Sequence, residues 1–388
     1  MVGLAALFWA WTEFFYEPWS WSPLSPPEAR AVIVGLPVAS TAPRPPVLTA
    51  ATSIPTAAPT ATLEPTPRPT PAVNLLAPPS SLTLGPMAHD WQKLNNCGPV
   101  SLAIAASYYQ VNITQFDAAA VVKGGELDRN VSPDEMVAYL KSIGLDGVER
   151  VNGNREMMIE LLANNIPVIV HQWLVRPGDG ELVGHYRVLK GYDQNQGLFI
   201  TQDPFRGPDV TFTWEEFEAR WRPFDHGYIP VYRPEQAHLV AAILGPDWDT
   251  QAMYERALAD ALADAQTTSD GYGWFNTANA YYALGRFEEA AQAYDRAFTY
   301  DFPELFLWYQ FSPLYTYLEV GQYERVLELT VEVLANAGEL EEARYARGLA
   351  YQGLEDLEAA RAEFEKAVAA NPRFRRAAEA LAALNGTT

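Results

Sequence analysis

A chain of 388 residues, 48% hydrophobic and 12% aromatic, is long enough for two folded domains and too apolar to be disordered throughout. Its 27 Lys+Arg against 48 Asp+Glu leave a net charge of −21, which argues against nucleic acid or an anionic lipid surface as partner. The single cysteine, Cys97, excludes an intrachain disulfide, so stability has to come from packing.

Residues 1–40 open with Met1 to Tyr16, apolar apart from Thr12 and Glu13 yet shorter than the ~20 residues of a spanning helix. They read as a membrane anchor or signal tail whose basic start would lie upstream, or alternatively as an amphipathic terminus. Residues 41–86 are rich in Pro, Thr and Ala, as in ATLEPTPRPTPAVN. Repeated prolines remove donors and favour extended geometry, so this stretch is expected to be a linker or stalk. Stalks of this kind are commoner outside the cytoplasm, and an unpaired thiol in an oxidising compartment suggests one kept for its reactivity. The expectation is an extracytoplasmic protein, secreted or membrane-anchored.

Residues 87–234 carry helical signals first and strand signals later. Asn96 is placed to cap a helix starting at Cys97, with Val100, Ile104 and Val111 at helical spacing. Ser132-Pro133-Asp134-Glu135 is a capping box ended by Gly144, and Asn154 opens a third helix. Ile166 to Leu174, His185 to Tyr192, Leu198 to Thr201 and Tyr228 to Tyr232 read as β-strands. Helices followed by a largely antiparallel sheet predict an α+β domain. Residues 235–247 are expected to be a second linker.

Residues 248–388 read as helical throughout, with an internal period. Leu284-Gly285-Arg286-Phe287 recurs as Val320-Gly321-Gln322-Tyr323 and as Leu354-Glu355-Asp356-Leu357, at intervals of 36 and 34 residues. The spacing resembles the tetratricopeptide repeat, which implies an all-α solenoid of paired helices and a protein partner. Pro303 and Pro372 stand at the closing position, and Ala290, Ala297, Ala360 and Ala367 fall where such helices pack closely. Tyr281, Tyr282, Trp308 and Tyr309 are expected to be core rather than a binding groove.

The chemistry is expected around Trp91-Gln92-Lys93-Leu94-Asn95-Asn96-Cys97-Gly98-Pro99. A cysteine opening a helix meets positive potential from unpaired N–H groups, which favours a thiolate. The Cys97 N–H and the Gln92 side chain are candidate donors for the oxyanion built by thiol attack on an acyl carbon. Among five histidines, His185 begins an alternating strand after a flexible loop and is the candidate base at a cleft mouth. His171 is its competitor, but it sits within a buried run and is read as structural. Asp203 ends the next strand, where a hairpin would bring it to orient the imidazole.

Gln92, Cys97-Gly98-Pro99, Gly184-His185-Tyr186, Gly191-Tyr192-Asp193 and Asp203-Pro204 together resemble the bacteriocin-processing-like (double-glycine peptidase-like) branch of the papain-like cysteine peptidases. The resemblance implies Cys97 as nucleophile, His185 as general base, Asp203 as orienting carboxylate and Gln92 as oxyanion donor. Founding members of that family are fused to an ATP-driven exporter and cut after paired glycines, whereas this sequence has no G-x-x-x-x-G-K-[ST] loop. The reading is therefore a papain-like cysteine peptidase domain followed by a tetratricopeptide-repeat domain, acting on a peptide or protein substrate through an acyl-enzyme. Transglutaminase-like acyl transfer and a non-catalytic binding module are the alternatives. No cofactor or metal is implied, since no ligand cluster has the required spacing.

Overall fold

The computed structural model describes residues 73–93, 95–125 and 128–386, which belong to one compact unit. Among them no helix is long and apolar enough to cross a membrane. The anchor-like segment 1–40, and the stalk up to residue 72, lie outside the described residues.

The α+β domain is built on an antiparallel sheet of seven strands among the described residues. They are β1 (Ser81–Thr83), β2 (Asp146–Gly147), β3 (Val168–Val175), β4 (Leu182–Asp193), β5 (Leu198–Asp203), β6 (Gly207–Thr213) and β7 (Tyr228–Tyr232). Their order is β2-β7-β3-β4-β5-β6, with β1 paired to β4 outside that path. β4 is the axis of the sheet. Residues 185–192 of it are all buried, as expected of a strand covered on both faces.

Helix α1 (Cys97–Tyr108) is buried without interruption from Gly98 to Ala106 and packs on β4. Its sequence, CGPVSLAIAASY, has no charged residue, so every face can enter the core. Small residues allow the close approach: a Cβ on Gly98 would stand 3.2 Å from the Val131 side chain. Helices α2 (Gln115–Val122) and α3 (Pro133–Ser142) each begin with a capping box, Thr114 with Asp117 and Ser132 with Glu135. α4 (Arg155–Ala163) is capped by Asn154, whose side chain accepts from the Met157 N–H at 2.9 Å. α5 (Trp214–Trp221) follows β6, with Thr213 as its cap.

Several expectations change. Asn96 does precede α1, but its side chain makes no cap bond; its Nδ2 donates to Gln115 Oε1 at 3.2 Å instead. The end of the expected linker 41–86 belongs to the domain: Ser81 to Thr83 pair with β4, Leu84 is buried, and the Tyr192 hydroxyl donates to the Pro79 carbonyl at 3.1 Å. The second expected linker, 235–247, contains helix α6 (Ala237–Leu244), which buries Val240, Ile243 and Leu244 in the sheet-domain core. Its apolar run AHLVAAIL is what a packed helix needs and a spacer does not.

The all-α part comprises α7 (Thr250–Thr267), α8 (Tyr272–Ala283), α9 (Phe287–Ala297), α10 (Ser312–Glu319), α11 (Tyr323–Ala337), α12 (Glu341–Gly353), α13 (Leu357–Ala370) and α14 (Arg375–Gly386). The period seen in the sequence is a turn between paired helices. Gly285, Gly321 and Glu355 occupy the same left-handed position, with φ of 70°, 72° and 64°. In each turn the next residue donates back to the preceding helix, Arg286 to Tyr281, Gln322 to Tyr317 and Asp356 to Tyr351. Ala290, Ala297, Ala360 and Ala367 are all fully buried between helices.

The helices fold back onto the sheet domain rather than trailing from it. Trp173 of β3 and Phe224 join one apolar cluster with Phe275, Tyr294 and Phe306 of the repeats. Burial of each such ring contributes about 2 kcal/mol. Polar ties flank the cluster. Arg222 pairs with Asp264 and Asp270, Asn276 Nδ2 donates to the Arg222 carbonyl at 2.9 Å, and Asn371 Nδ2 reaches Asp128 at 3.3 Å.

Candidate active site

Cys97 is the first residue of α1 and is half-buried. Because Asn96 leaves the helix start without a side-chain cap, the N–H groups there stay available to a ligand or a developing charge. The thiol hydrogen-bonds His185, and the backbone N–H groups of Tyr186 and Gly98 also point at it. Burial pushes the thiol up, but the imidazole's hydrogen bond and charge together with those amides outweigh it, so the thiol is held below its ordinary value.

His185 lies within β4 and is 1% exposed, so it is locked in the core rather than standing at a cleft mouth. Its Nε2 is 2.8 Å from Asp203 Oδ1, which leaves Nδ1 as the ring nitrogen for the thiol. Burial acts to lower the imidazole, yet the Asp203 carboxylate overcomes it and the net shift is upward. The pair therefore favours thiolate and imidazolium together.

The sheet register explains why these side chains meet. β4 and β5 run antiparallel with Val188 opposite Gln202, so Arg187 faces Asp203 and His185 follows two residues along the same face. Asp203 is fully buried and accepts four hydrogen bonds. Oδ1 takes His185 and the backbone N–H groups of Phe205 and Arg206 at 2.9 and 3.0 Å, while Oδ2 takes Arg187 Nε at 2.7 Å. Burial opposes its ionisation, but the charges of His185 and Arg187 and these bonds hold the carboxyl far below the usual carboxylate range. Arg187, 0% exposed, also donates to Gln172 Oε1 at 3.0 Å and the Trp173 carbonyl at 3.3 Å.

Gln92 is tied to the same corner: its N–H donates to the Pro204 carbonyl at 2.9 Å, one residue past Asp203. Its side-chain Oε1 is buried without a hydrogen-bond partner among the described residues. Lys123, 8% exposed, donates to Asn96 Oδ1 at 3.4 Å, and its charge and that of Cys97 act on each other.

Cys97 opens into a cavity of about 580 Å³ walled by both parts of the chain. Gly98, Tyr186, His171 and Glu149 line it from the sheet domain, Tyr282, Tyr309 and Glu342 from the repeats. His171 is half-buried in its wall, stacked between Tyr186 at 4.3 Å and Phe224 at 3.9 Å, and burial first and then the positive His185 and Arg187 push it down to about 3. It is a neutral ring there. Tyr282 and Tyr309, expected in a repeat core, thus face the thiol's cavity.

Arg187 and Lys123 were not singled out in sequence, and the repeat tyrosines were assigned to the core. Only Arg187 carried a usable signal, since it lies two residues after His185 on an alternating strand.

Residues 86–229 match the Peptidase_C39 like family, and residues 271–301 and 341–374 match the tetratricopeptide repeat. The chain carries a Peptidase_C39-like domain followed by tetratricopeptide repeats. No curated protein matched it. Solved structures similar to the Peptidase_C39-like domain include a double glycine motif protease from an AMS/PCAT transporter in complex with the leader peptide, at 18% identity, covering 39% of this chain and 94% of that one, TM-score 0.30. The peptidase domain of Streptococcus ComA is similar at 20% identity, covering 38% and 98%, TM-score 0.31. On the repeat side, MamA from Desulfovibrio magneticus RS-1 is 25% identical over 35% of this chain and 76% of that one, TM-score 0.32. The Peptidase_C39-like domain has the fold of a cysteine peptidase, and the repeats are of a kind used for protein interaction.

Proposed function

We propose that this protein is an extracytoplasmic cysteine peptidase that hydrolyses a peptide bond of a segment lodged between the Peptidase_C39-like domain and its repeats. The observation that carries the reading is the unbroken run of contacts from the Cys97 thiol through His185 to Asp203, with Nε2 of the ring 2.8 Å from the carboxylate.

In this reading Nδ1 of His185 takes the thiol proton and the sulfur attacks the scissile carbonyl carbon, moving the π pair onto oxygen. The oxyanion is met by the Cys97 N–H and the Gln92 side-chain amide. The imidazolium then protonates the leaving amine as the C–N bond breaks and a thioester remains. Water, losing its proton to His185, cleaves the thioester and restores the thiol. Asp203 stays ionised and holds the ring, and Arg187 keeps Asp203 from taking the proton. The repeats supply the opposite wall of the cleft and bind the substrate or a partner that delivers it.

The test is proteolysis of the native secretome or membrane fraction by the full chain, beside Cys97→Ala and Asp203→Asn. New peptide termini that appear with wild type and are absent with Cys97→Ala support hydrolysis. Adding a primary amine separates hydrolysis from acyl transfer, because amide-capped products would replace free carboxyl termini. Indistinguishable profiles for wild type and Cys97→Ala would leave the domain a binding module. Recovery of the protein from the cytosol alone would remove the extracytoplasmic part and leave the chemistry standing.

A further inference from the structure

Six acidic residues are buried among the described residues: Asp128, Asp203, Asp225, Asp247, Glu341 and Glu363. Five have partners. Asp128 accepts from the Gly124 N–H, Asp203 holds His185 and Arg187, Asp247 pairs with Arg256, Glu341 accepts from Asn371, and Glu363 pairs with Arg344 and Lys366. Asp225 has none: it is 8% exposed, and its carboxylate has no hydrogen bond or ion pair among the described residues. Glu342, in the wall of the same cavity, likewise has a buried Oε2 without a hydrogen-bond partner among the described residues.

An isolated buried carboxylate is costly, and a carboxyl left in that state at a cavity wall is one awaiting a partner. Asp225 lines the same cavity as Cys97. Burial alone, with no favourable partner, pushes it far above the ordinary carboxyl value. Glu149 lines the cavity too and is pushed up to about 7 by burial and then by the Asp134 charge; it and Asp225 both act on the Tyr254 hydroxyl.

The wall between the thiol and Asp225 has a defined character. From Cys97 it runs through Tyr186, whose ring stacks on His171, to Phe224 on the other face of His171, and Phe224 precedes Asp225 in the chain. His171 is uncharged there, so the path is a row of flat, neutral rings ending in a buried carboxyl that a cation would ionise. This complements a side chain with an apolar stem and a cationic tip.

We propose that Asp225 forms a specificity subsite for the lysine or arginine side chain of a peptide held in the Cys97 cavity. The inference rests on the cavity being the substrate cleft of the peptidase reading, and it adds the chemical class of residue the cleft selects. The cation of the substrate supplies the counter-charge that the fold leaves out. Asp225 acts on binding and orientation; no bond is made or broken at it.

The test compares alkylation of Cys97 in the full chain by Ala-Ala-Lys and Ala-Lys-Ala chloromethyl ketones with their norleucine counterparts. At least one lysine reagent reacts about tenfold or more faster than its norleucine partner, the size expected of a hydrogen bond to a buried charge. Asp225→Asn brings that ratio close to one; asparagine tolerates the left-handed backbone that Asp225 adopts at φ 54°, so the turn persists, as thermal unfolding checks. A ratio near one in the wild type, or an unchanged ratio in Asp225→Asn, overturns the proposal. If no reagent alkylates Cys97, the hydrolytic reading fails and the subsite is judged on the Cys97→Ala chain with agmatine, an arginine side-chain mimic. Saturable thermal stabilisation that disappears on adding Asp225→Asn supports it, and equal or absent stabilisation in the two overturns it.

Discussion

The ring of Tyr309, from the repeats, covers Gly184, the residue before His185: a Cβ on Gly184 would stand 2.8 Å from Tyr309 Cδ1 and Cγ and 2.9 Å from Cδ2. Three ring atoms at nearly one distance mean that the ring presents its face to the strand. The repeat array therefore sits directly on the backbone that carries the imidazole, and a side chain at 184 would force the two apart.

Gly184→Ala is expected to destabilise the chain by about 1–3 kcal/mol, the cost of overpacking. In a Tyr309→Ala background the obstructing ring is gone and the same change costs less. A denaturant double-mutant cycle reads the coupling, expected at about 1 kcal/mol or more. Strict additivity would mean that Tyr309 does not rest on Gly184 in solution.

Arg187→Met should be one of the most damaging single changes in the domain, at about 3–5 kcal/mol, because it strands the buried Asp203 beside a protein interior instead of a guanidinium. Urea unfolding measures it. Arg187→Lys should recover only part of the loss, since one ammonium cannot reach Asp203, Gln172 and the Trp173 carbonyl together as Arg187 does. A cost below about 1 kcal/mol would show that the pair contributes little.

The rate of Cys97 alkylation by iodoacetamide should follow a thiolate curve lying below that of an ordinary thiol, whose pKa is about 8.5. The sign follows from the opposing causes: burial raises Cys97, and His185 with the Tyr186 and Gly98 amides lowers it by more. His185→Ala leaves burial far less opposed and moves the curve upward. Coincident pH profiles for wild type and His185→Ala would separate the thiol from the ring.

Burial first, then the charge of Glu341, raises Asp128 to about 7. Between the unfolded value of about 3.9 and this folded value, the native state keeps a proton that the unfolded chain has released. The contribution of this carboxyl is thus fully present below about pH 4 and is lost as pH rises through 7. Because Asn371 ties Asp128 to the repeats, the loss falls on the contact between the two parts. Unfolding free energies at pH 5 and pH 8 should differ less in Asp128→Asn than in the wild type, and an unchanged difference would contradict the assignment.

Glu355→Gly should stabilise the repeats by about 1 kcal/mol, since glycine carries no steric penalty at the left-handed turn position that Gly285 and Gly321 already fill. Gly285→Ala and Gly321→Ala should cost a similar amount through conformation alone, because a Cβ at either would meet nothing within 4 Å. Thermal midpoints of the three variants decide it.

Much of the molecule was legible locally. Capping boxes, the apolar β-rich runs of β3 and β4 and the recurring turn at Gly285, Gly321 and Glu355 are short-range signals, and each led to an element where it was expected; the alternation read in β4 did not survive, since residues 185–192 are all buried. Thr114 with Asp117 and Thr213 with Glu216 were equally local, yet α2 and α5 passed unnoticed because their boxes stand beside weakly patterned residues. Asn96 shows the opposite failure: its position fits a cap, but the Gln115 side chain, 19 residues away, claims its amide.

From sequence alone came the order of an α+β domain and a helical-repeat domain, the thiol at a helix start, and an imidazole and a carboxylate spaced for a hairpin. Hydrogen bonding and periodicity act over a few residues, so the chain states these things itself. That His185 is sealed in the core, that Arg187 closes on Asp203, that α6 is packed rather than a spacer, and that Tyr309 and Asp225 share a cavity with Cys97 were decided only by tertiary structure. Burial and charge pairing depend on which surfaces meet: Tyr309 and Asp225 reach the Cys97 cavity across more than a hundred residues of chain, a distance over which no local pattern carries the information, and Arg187 and Asp203, 16 residues apart, meet only because β4 and β5 pair.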